Sequence, residues 1–149
     1  MLSNNYKTVL VTGASSGIGE AVVRLLSKKG YKVTALARRK YKLNRLKKET
    51  SCDIISMDIR KNKEIEKLKK FKFDILVNNA GLGRGFEKIH KTKANDIDTT
   101  IDTNVKAFLQ LLRCIIPSMV KKKRGHIVNI GSIAGLYPLS SSVYGGSKG

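Results

Sequence analysis

Two residues of this sequence have types and spacing that suit proton transfer. Tyr144 and Lys148 stand four positions apart, and on a helix two such residues share one face with Cβ atoms about 5–6 Å apart. A cationic Lys at that distance favours the ionised form of the phenol. A phenol tuned in this way exchanges a proton with the oxygen of an alcohol or a carbonyl group. Alone the pattern is weak, because Lys is abundant in this chain.

A glycine-rich turn follows the first apolar run. It consists of Thr12, Gly13, Ala14, Ser15, Ser16, Gly17, Ile18 and Gly19. The glycines allow a tight turn, and the helix that follows would direct its free N–H groups and positive dipole end at the same place, which suits a pyrophosphate. The spacing G-x-x-x-G-x-G differs from the G-x-G-x-x-G dinucleotide fingerprint, so a turn without a ligand is the alternative.

Two arginines follow the second apolar run. Sheets that bind NAD carry an acidic residue near this point for the ribose 2′-hydroxyl, whereas an Arg accommodates the 2′-phosphate of NADP. Here the acid is absent and Arg38 and Arg39 stand in its place. Guanidinium groups match phosphate oxygens well, which predicts NADP rather than NAD. Two solvated charges at a helix start are the alternative interpretation.

Polar and small residues follow the next two apolar runs. Asp58 would accept a hydrogen bond from an adenine amino group while Ile59 packs on the base, although a helix-capping Asp ahead of Asn62 is an equal alternative. After the fourth run, small residues would let a cofactor pass over the sheet and amides would hold backbone and ribose, unless the segment is a simple turn. That segment is Asn78, Asn79, Ala80 and Gly81.

These residues fall at the ends of alternating elements. Apolar runs predict strands over 7–12, 32–37, 54–57, 74–77 and 126–130, and helical periodicity predicts helices over 17–29, 40–49, 62–70, 94–122 and from 142 onward. Pro117 predicts a bend in the fourth helix. The alternation predicts an α/β fold, a Rossmann-type doubly wound parallel sheet. Such sheets bind ligands outside the carboxyl ends of their strands.

Together the motifs resemble those of the short-chain dehydrogenase/reductase family over the whole chain. The turn at 12–19 is similar to the family's cofactor turn, and the segment 78–81 to its sheet motif. Four residues match the family's catalytic residues in order and spacing: Asn104, Ser132, Tyr144 and Lys148. The resemblance implies that Tyr144 is the general acid/base, that Lys148 holds the nicotinamide ribose and that Ser132 binds the substrate oxygen. It also implies that Asn104 holds a water linking Lys148 to solvent.

The resemblance further implies a reaction and a cofactor set. The expected activity is an NADP(H)-dependent oxidoreductase that interconverts a secondary alcohol and its ketone, both small molecules, with Ser132 and Tyr144 touching the substrate. Residues 81–104 are similar to the NADP-dependent 3-hydroxy acid (serine, allo-threonine) dehydrogenases. A catalytically inactive, truncated nucleotide-binding module is the alternative. Besides the turn 13–19, the expected cofactor contacts are Arg38, Arg39, Asp58, Ile59, Asn79, Gly81, Tyr144 and Lys148.

The composition bounds the partners. Thirty Lys and Arg against 11 Asp and Glu give a net charge of +19, but the cations are mostly Lys spread along predicted helices, so we expect no specific nucleic-acid partner. No apolar run is long enough for a membrane span, and residues 1–7 contain no apolar leader segment, so we expect a cytoplasmic protein without a secretory leader or membrane attachment. Cys52 and Cys114 lack metal-ligand spacing, which predicts free thiols and no metal site.

The last residues carry their own expectation. A doubly wound dinucleotide fold normally has six strands, and the sequence predicts five. We therefore expect residues 1–149 to be the N-terminal dinucleotide-binding portion of a single domain, truncated, with a full-length parent that forms a homo-oligomer. Gly145 and Gly146 weaken the short helix that carries Tyr144 and Lys148, so we expect this portion alone to lack turnover.

Overall fold

Five parallel strands form one sheet in the computed structural model, which describes residues 6–137 and 142–149. The strands are β1 (Thr8–Thr12), β2 (Lys32–Ala37), β3 (Asp53–Ser56), β4 (Ile75–Asn78) and β5 (His126–Asn129). Their order is β3-β2-β1-β4-β5, so the chain first builds outward from β1 and then crosses back to β4. This confirms the predicted sheet and places its switch point between β1 and β4.

Helices cover both faces of the sheet. They are α1 (Gly17–Lys28), α2 (Lys40–Thr50), α3 (Asn62–Ile65), α4 (Ala94–Ile101), α5 (Ala107–Lys121) and α6 (Ser142–Gly146). Side chains of β1 alternate between two buried clusters: Val9 and Val11 join the cluster with α1 and α2, and Leu10 joins the one with α5. Since both faces of β1 are buried, its sequence reads as a continuous apolar run.

Two predicted helices differ from the structure. The predicted helix over 62–70 is α-helical only in α3 and continues as a 3₁₀-helix over Glu66–Lys70. The predicted helix over 94–122 is divided by a π-helical turn, Asp102–Lys106, and α5 runs through Pro117. The interruption therefore lies where Asn104 turns its amide toward the backbone of Leu82, and not at the proline. π-turns inside helices occur frequently at functional sites.

The buried carboxylate of Asp74 connects the start of β1 with the residues that follow α5. Its Oδ2 accepts hydrogen bonds from the backbone N–H groups of Lys7 (3.0 Å) and Thr8 (3.1 Å). Its Oδ1 accepts from Lys122 Nζ (3.0 Å) and Arg124 Nη2 (3.2 Å). Burial opposes ionisation, but these donors outweigh it and hold the pKa of Asp74 well below its ordinary value. Asp74 thus fastens the start of β1 and the end of α5 to β4.

We expect Asp74→Asn to lower the free energy of unfolding by about 3 kcal/mol, because two cations lose their buried counter-charge. The ionised carboxylate contributes fully above the ordinary Asp pKa of about 4, and its contribution falls as the pH decreases toward the lower folded-state pKa. Urea titrations from about pH 7 down to about pH 3 should therefore give a flatter acid limb for the variant. Thr8→Val, which removes one hydroxyl donor, is the milder control. Equal acid dependence in Asp74→Asn and wild type would contradict the assignment.

Candidate active site

The glycine turn after β1 is fastened to the end of β4. Thr12 Oγ1 accepts hydrogen bonds from the backbone N–H groups of Asn79 (3.1 Å) and Ala80 (3.0 Å). In return, Asn79 Nδ2 donates to the carbonyl oxygens of Thr12 (3.0 Å) and Gly13 (3.3 Å). Four bonds between two neighbouring strand ends leave the turn little freedom. The Asn-rich segment is therefore a brace for the turn as well as a candidate cofactor contact.

The three glycines of the turn are needed for two different reasons, close packing and backbone conformation. A Cβ on Gly13 would lie 2.8 Å from Asn79 Nδ2, and a Cβ on Gly19 would lie 2.5 Å from the same atom and 2.6 Å from the Gly13 oxygen. Gly13 and Gly19 therefore allow close packing within the protein. Gly17 has a φ of +57° and no atom within 4 Å of such a Cβ, so it supplies a left-handed backbone at the open start of α1. Free space beside the N-terminus of a helix fits an anion.

A cleft opens beside this turn, over the carboxyl ends of β1, β2 and β3. It encloses about 650 Å³ of space including its open mouth. Most of the sequence-predicted cofactor residues lie on its wall. The wall is lined by Gly13, Ser15, Ser16, Leu36, Ala37, Arg38, Arg39, Met57, Asp58, Ile59, Arg60, Ala80, Gly81, Leu82 and Thr103.

Arg39 spans the cleft from the end of β2 to the glycine turn. Its Nε and Nη2 donate to Ser15 Oγ at 3.0 and 2.8 Å, and Nη2 also donates to Ser16 Oγ at 2.7 Å. Ser15 is buried, so one end of this arrangement is fixed. The guanidinium is thereby held next to the turn that would bind phosphate. Arg38 beside it is exposed.

Asp58 carries a paired carboxylate, and Ile59 is mostly core. The Asp58 carboxylate accepts from the backbone N–H and the guanidinium of Arg60. Hydrogen bonds from the Arg60 side chain hold the pKa of Asp58 below its ordinary value, and the charge of Arg38 lowers it further. Partial burial of the carboxylate acts in the opposite direction but is the weaker effect. Ile59 is 7% exposed and packs in the cluster with α5, with only its edge on the cleft.

The second group of candidate residues meets where β4 and β5 end. Lys148 Nζ donates to the carbonyl oxygen of Ile130 at 3.2 Å. A Cβ on Gly81 would lie 3.2 Å from Lys148 Nζ and 3.3 Å from Asn104 Oδ1, so both polar groups border the same small residue. The Asn104 amide also bonds both backbone groups of Leu82 (2.9 and 2.8 Å) and Ser147 Oγ (2.9 Å).

The helix that carries Tyr144 is shorter than predicted. α6 ends at Gly146, because two glycines weaken it, yet the N–H groups of Ser147 and Gly149 still bond carbonyls four residues earlier. The Tyr144 ring lies 6.0 Å from that of Phe86 between centroids. Ser132 Oγ accepts from the N–H of Ala134 and caps a 3₁₀ turn. The residues between this turn and α6, 138–141, lie outside the described part of the chain.

Gly135 and Gly145 allow the 3₁₀ turn that follows Ser132 to pack against the segment that carries Tyr144. A Cβ on Gly145 would lie 2.9 Å from the Ala134 oxygen, and a Cβ on Gly135 would overlap the Lys148 backbone. A glycine is therefore needed at position 145, although it weakens the helix, because the Ala134 carbonyl leaves no room for a side chain. Nothing lies within 4 Å of the corresponding position on Gly146. The sequence marked Gly145 as a helix-weakening residue without showing this reason.

Sequence reasoning missed several residues of the site. Arg60, Leu82 and Thr103 line the cleft, Ser147 bonds the Asn104 amide, and Phe86 contacts Tyr144. Arg60 had a detectable signal, since a cation two residues after Asp58 can fold back onto it. The other contacts join distant segments and leave no local pattern.

Within the part of the chain that the structure describes, metal-ligand clusters and membrane-spanning helices are absent. Across 6–137 and 142–149, no three or more His, Cys, Asp and Glu side chains come together as metal ligands. Within the same ranges no helix has both the length and the apolarity to cross a bilayer. Cys52 and Cys114 are buried free thiols, and burial raises the pKa of the Cys114 thiol.

The family of the chain follows from this fold and from a sequence match. The sequence profile described as short chain dehydrogenase matches residues 7–149. The chain belongs to this short-chain dehydrogenase family. The match confirms the family resemblance that the motifs carried.

Several curated relatives of this short-chain dehydrogenase chain have names that describe NADP-dependent dehydrogenases. It is 42% identical over 149 residues to the NADP-dependent 3-hydroxy acid dehydrogenases YdfG of Salmonella typhi and Escherichia coli K12, with 94% of this chain and 60% of each relative aligned. It is 39% identical over 150 residues to a probable NADP-dependent dehydrogenase of Haemophilus influenzae, over 95% and 60%. The chain spans about 60% of the length of the curated relatives it matches.

Solved structures agree with the same family. Serine dehydrogenase from Escherichia coli superposes with a TM-score of 0.90 at 43% identity, over 95% of this chain and 69% of that one. The closed form of serine dehydrogenase complexed with NADP+ gives 0.91 at 43% identity, over 95% and 60%. A metagenomic short-chain oxidoreductase in complex with NADP gives 0.87 at 36% identity, over 95% and 70%.

We expect Gly19→Ala to lower the free energy of unfolding by about 1–3 kcal/mol, because the added Cβ displaces Asn79 or the Gly13 carbonyl. The displaced turn should also lose affinity for NADPH. Gly146→Ala is the matched control, since its Cβ meets nothing within 4 Å and Ala favours a helix by about 1 kcal/mol. Urea unfolding and NADPH titration by calorimetry measure both effects. Wild-type stability and affinity in Gly19→Ala would contradict the close packing.

Proposed function

We propose that this chain carries the NADP(H) site and the catalytic residues of an oxidoreductase that interconverts a secondary alcohol and its ketone by hydride transfer. Tyr144 is the general acid/base in this proposal. Residues 1–149 are the dinucleotide-binding portion of a single short-chain dehydrogenase domain. The substrate class that the curated relatives favour is the 3-hydroxy acid and its 3-oxo partner, since relatives at 42% identity carry that activity in their names.

One observation supports the proposal most strongly: the residues around the glycine turn and the residues around Lys148 lie at the same edge of the sheet. Lys148 Nζ bonds the Ile130 oxygen just after β5 and borders Gly81 just after β4. The Asn79 brace then links the end of β4 to the glycine turn. A ligand bound over the turn would therefore extend past Gly81 toward Lys148 and Tyr144, which suits a dinucleotide at the switch point of such a sheet.

The cleft fits the two phosphate-bearing parts of NADP(H). The start of α1, with its open Gly17, would hold the pyrophosphate. Arg39, held at Ser15 and Ser16, and the exposed Arg38 would bind the 2′-phosphate, since guanidinium groups pair with phosphate oxygens in a bidentate manner. Asp58 and Ile59 would border the adenine.

The chain's own residues divide the chemistry at the other end. Bound NADP(H) supplies the hydride donor or acceptor. Tyr144 Oη would give a proton to the carbonyl oxygen in reduction and remove it in oxidation. Ser132 Oγ would hydrogen-bond the same oxygen, and Lys148 Nζ would hold the nicotinamide ribose. Asn104, which braces Leu82 and Ser147, would link Lys148 to solvent through a water.

We expect Arg39→Ala and Arg38→Ala to weaken NADPH binding about tenfold or more and to leave NADH binding nearly unchanged, because each removes a charge-assisted hydrogen bond to the 2′-phosphate. Isothermal titration with both cofactors gives the ratio of dissociation constants. Lys40→Ala is the matched control, because this exposed cation is the next residue and does not line the cleft. An equal loss for both cofactors would refute the 2′-phosphate assignment.

In the full-length parent of this portion, we expect Tyr144→Phe to abolish NADPH oxidation with a panel of 3-oxo acids and simple ketones, because the ring keeps its packing and loses its proton. NADPH affinity should stay close to wild type. Tyr41→Phe, an exposed phenol on α2, is the control that keeps turnover. NADPH binding by the wild type without turnover of any carbonyl would favour the alternative, a catalytically inactive nucleotide-binding module.

A further inference from the structure

A paired carboxylate lies among the guanidinium groups at the adenosine end of the cleft. Arg60 folds back onto Asp58, two residues before it. Its Nη2 lies 2.6 Å from Asp58 Oδ2, its Nε lies 3.1 and 3.2 Å from the two carboxylate oxygens, and its backbone N–H donates to Oδ1 at 3.0 Å. The Asp58 side chain is 16% exposed and that of Arg60 34%. This pair is therefore partly shielded from water.

Arg38 stands beside this pair because β2 and β3 end together. The N–H of Met57 bonds the Ala37 oxygen at 3.1 Å, and Ser56 Oγ bonds the Arg38 oxygen at 3.3 Å. The chain then reaches Asp58 directly. Arg38, Asp58 and Arg60 all line the same cleft, and the charge of Arg38 acts on the Asp58 carboxylate.

An uncompensated carboxylate at this place would act against a 2′-phosphate in two ways. It would repel the phosphate through space, and it would draw the Arg38 guanidinium toward itself and away from the phosphate. Charges in a partly shielded cleft interact more strongly than in bulk water. The cleft needs the acidic residue neutralised if it is to hold a dianionic group nearby.

We propose that Arg60 is a positioning residue for cofactor choice: by pairing with Asp58 it cancels the carboxylate charge and leaves Arg38 available for the 2′-phosphate. This inference rests on the proposed function, because it concerns the same NADP(H) site. It adds a residue outside the Arg38–Arg39 pair. It also makes Asp58 a group that, left unpaired, would shift preference toward NADH.

The test uses the opposite charges of the two partners. Breaking the pair by Arg60→Gln leaves one negative charge, whereas Asp58→Asn leaves one positive charge. We expect Arg60→Gln to reduce the preference for NADPH over NADH by about tenfold, the scale of one charge interaction at this shielding, and Asp58→Asn to keep or increase it. Because any contact of Asp58 with adenine is common to both cofactors, it cancels in the ratio. Arg60→Lys, which keeps the charge, should keep the preference.

The double variant Asp58→Asn/Arg60→Gln should restore the preference, because the uncompensated charge is gone. Calorimetric titrations with NADPH and NADH at low salt give the ratios, and added KCl should reduce the effect of Arg60→Gln. Urea unfolding of each variant registers any loss of fold. A loss of preference of the same size in both single variants, or no rescue in the double variant, would show a purely structural pair and overturn the inference.

The outcomes separate the two proposals. A wild type that prefers NADPH, together with an Arg60→Gln variant of unchanged ratio, overturns the role of Arg60 and leaves the NADP(H) site in place. A wild type that binds neither cofactor overturns both proposals.

Discussion

The hydrogen bonds between Thr12 and Asn79 hold together the edge of the sheet on which every candidate site residue depends. In a doubly wound sheet the two strands at the switch point diverge in their connections, because the chain leaves β1 toward β2 and enters β4 from the other side. Here the Thr12 hydroxyl and the Asn79 amide each make two bonds across this point. These hydrogen bonds hold the glycine turn and the end of β4 together. The two segments pack so closely that positions 13 and 19 have no room for a side chain.

At the end of the cleft that we propose holds adenosine, contacts with other side chains place the guanidinium groups, and the excess of positive charge alone does not. The chain carries a net charge of +19, yet the cleft places its guanidinium groups individually: Arg39 on two serine hydroxyls, Arg60 on Asp58, and Arg38 exposed on the wall. A positive total charge raises the local concentration of any anion. Under the proposed NADP(H) site, discrimination between two nucleotides that differ by one phosphate needs donors held at one place, which the serine hydroxyls supply for Arg39.

Tertiary contacts support the short segment that carries Tyr144. A helix of five residues with two glycines is marginal alone. Here the segment is held from three sides: Ser147 bonds the Asn104 amide, Lys148 bonds the Ile130 oxygen, and Gly145 lies against the Ala134 carbonyl. Asn104 can reach Ser147 because it belongs to the π-turn between α4 and α5. That turn thus has a positioning role, and the helix pattern over 94–122 conceals it.

The sequence alone determined the five-stranded parallel sheet, because buried strands read as apolar runs and helices as a 3.6-residue period, and both signals are local. It also located the candidate site, since residues that follow parallel strands must meet at one edge. Tertiary structure decided what the side chains contact. Arg39 reaches Ser15 across 24 positions and Asn104 reaches Ser147 across 43, and no local pattern encodes such pairs. The π-turn over 102–106, which the helical pattern over 94–122 does not show, arises for the same reason: long-range packing, rather than the propensity of one residue, sets where a helix changes its hydrogen bonding.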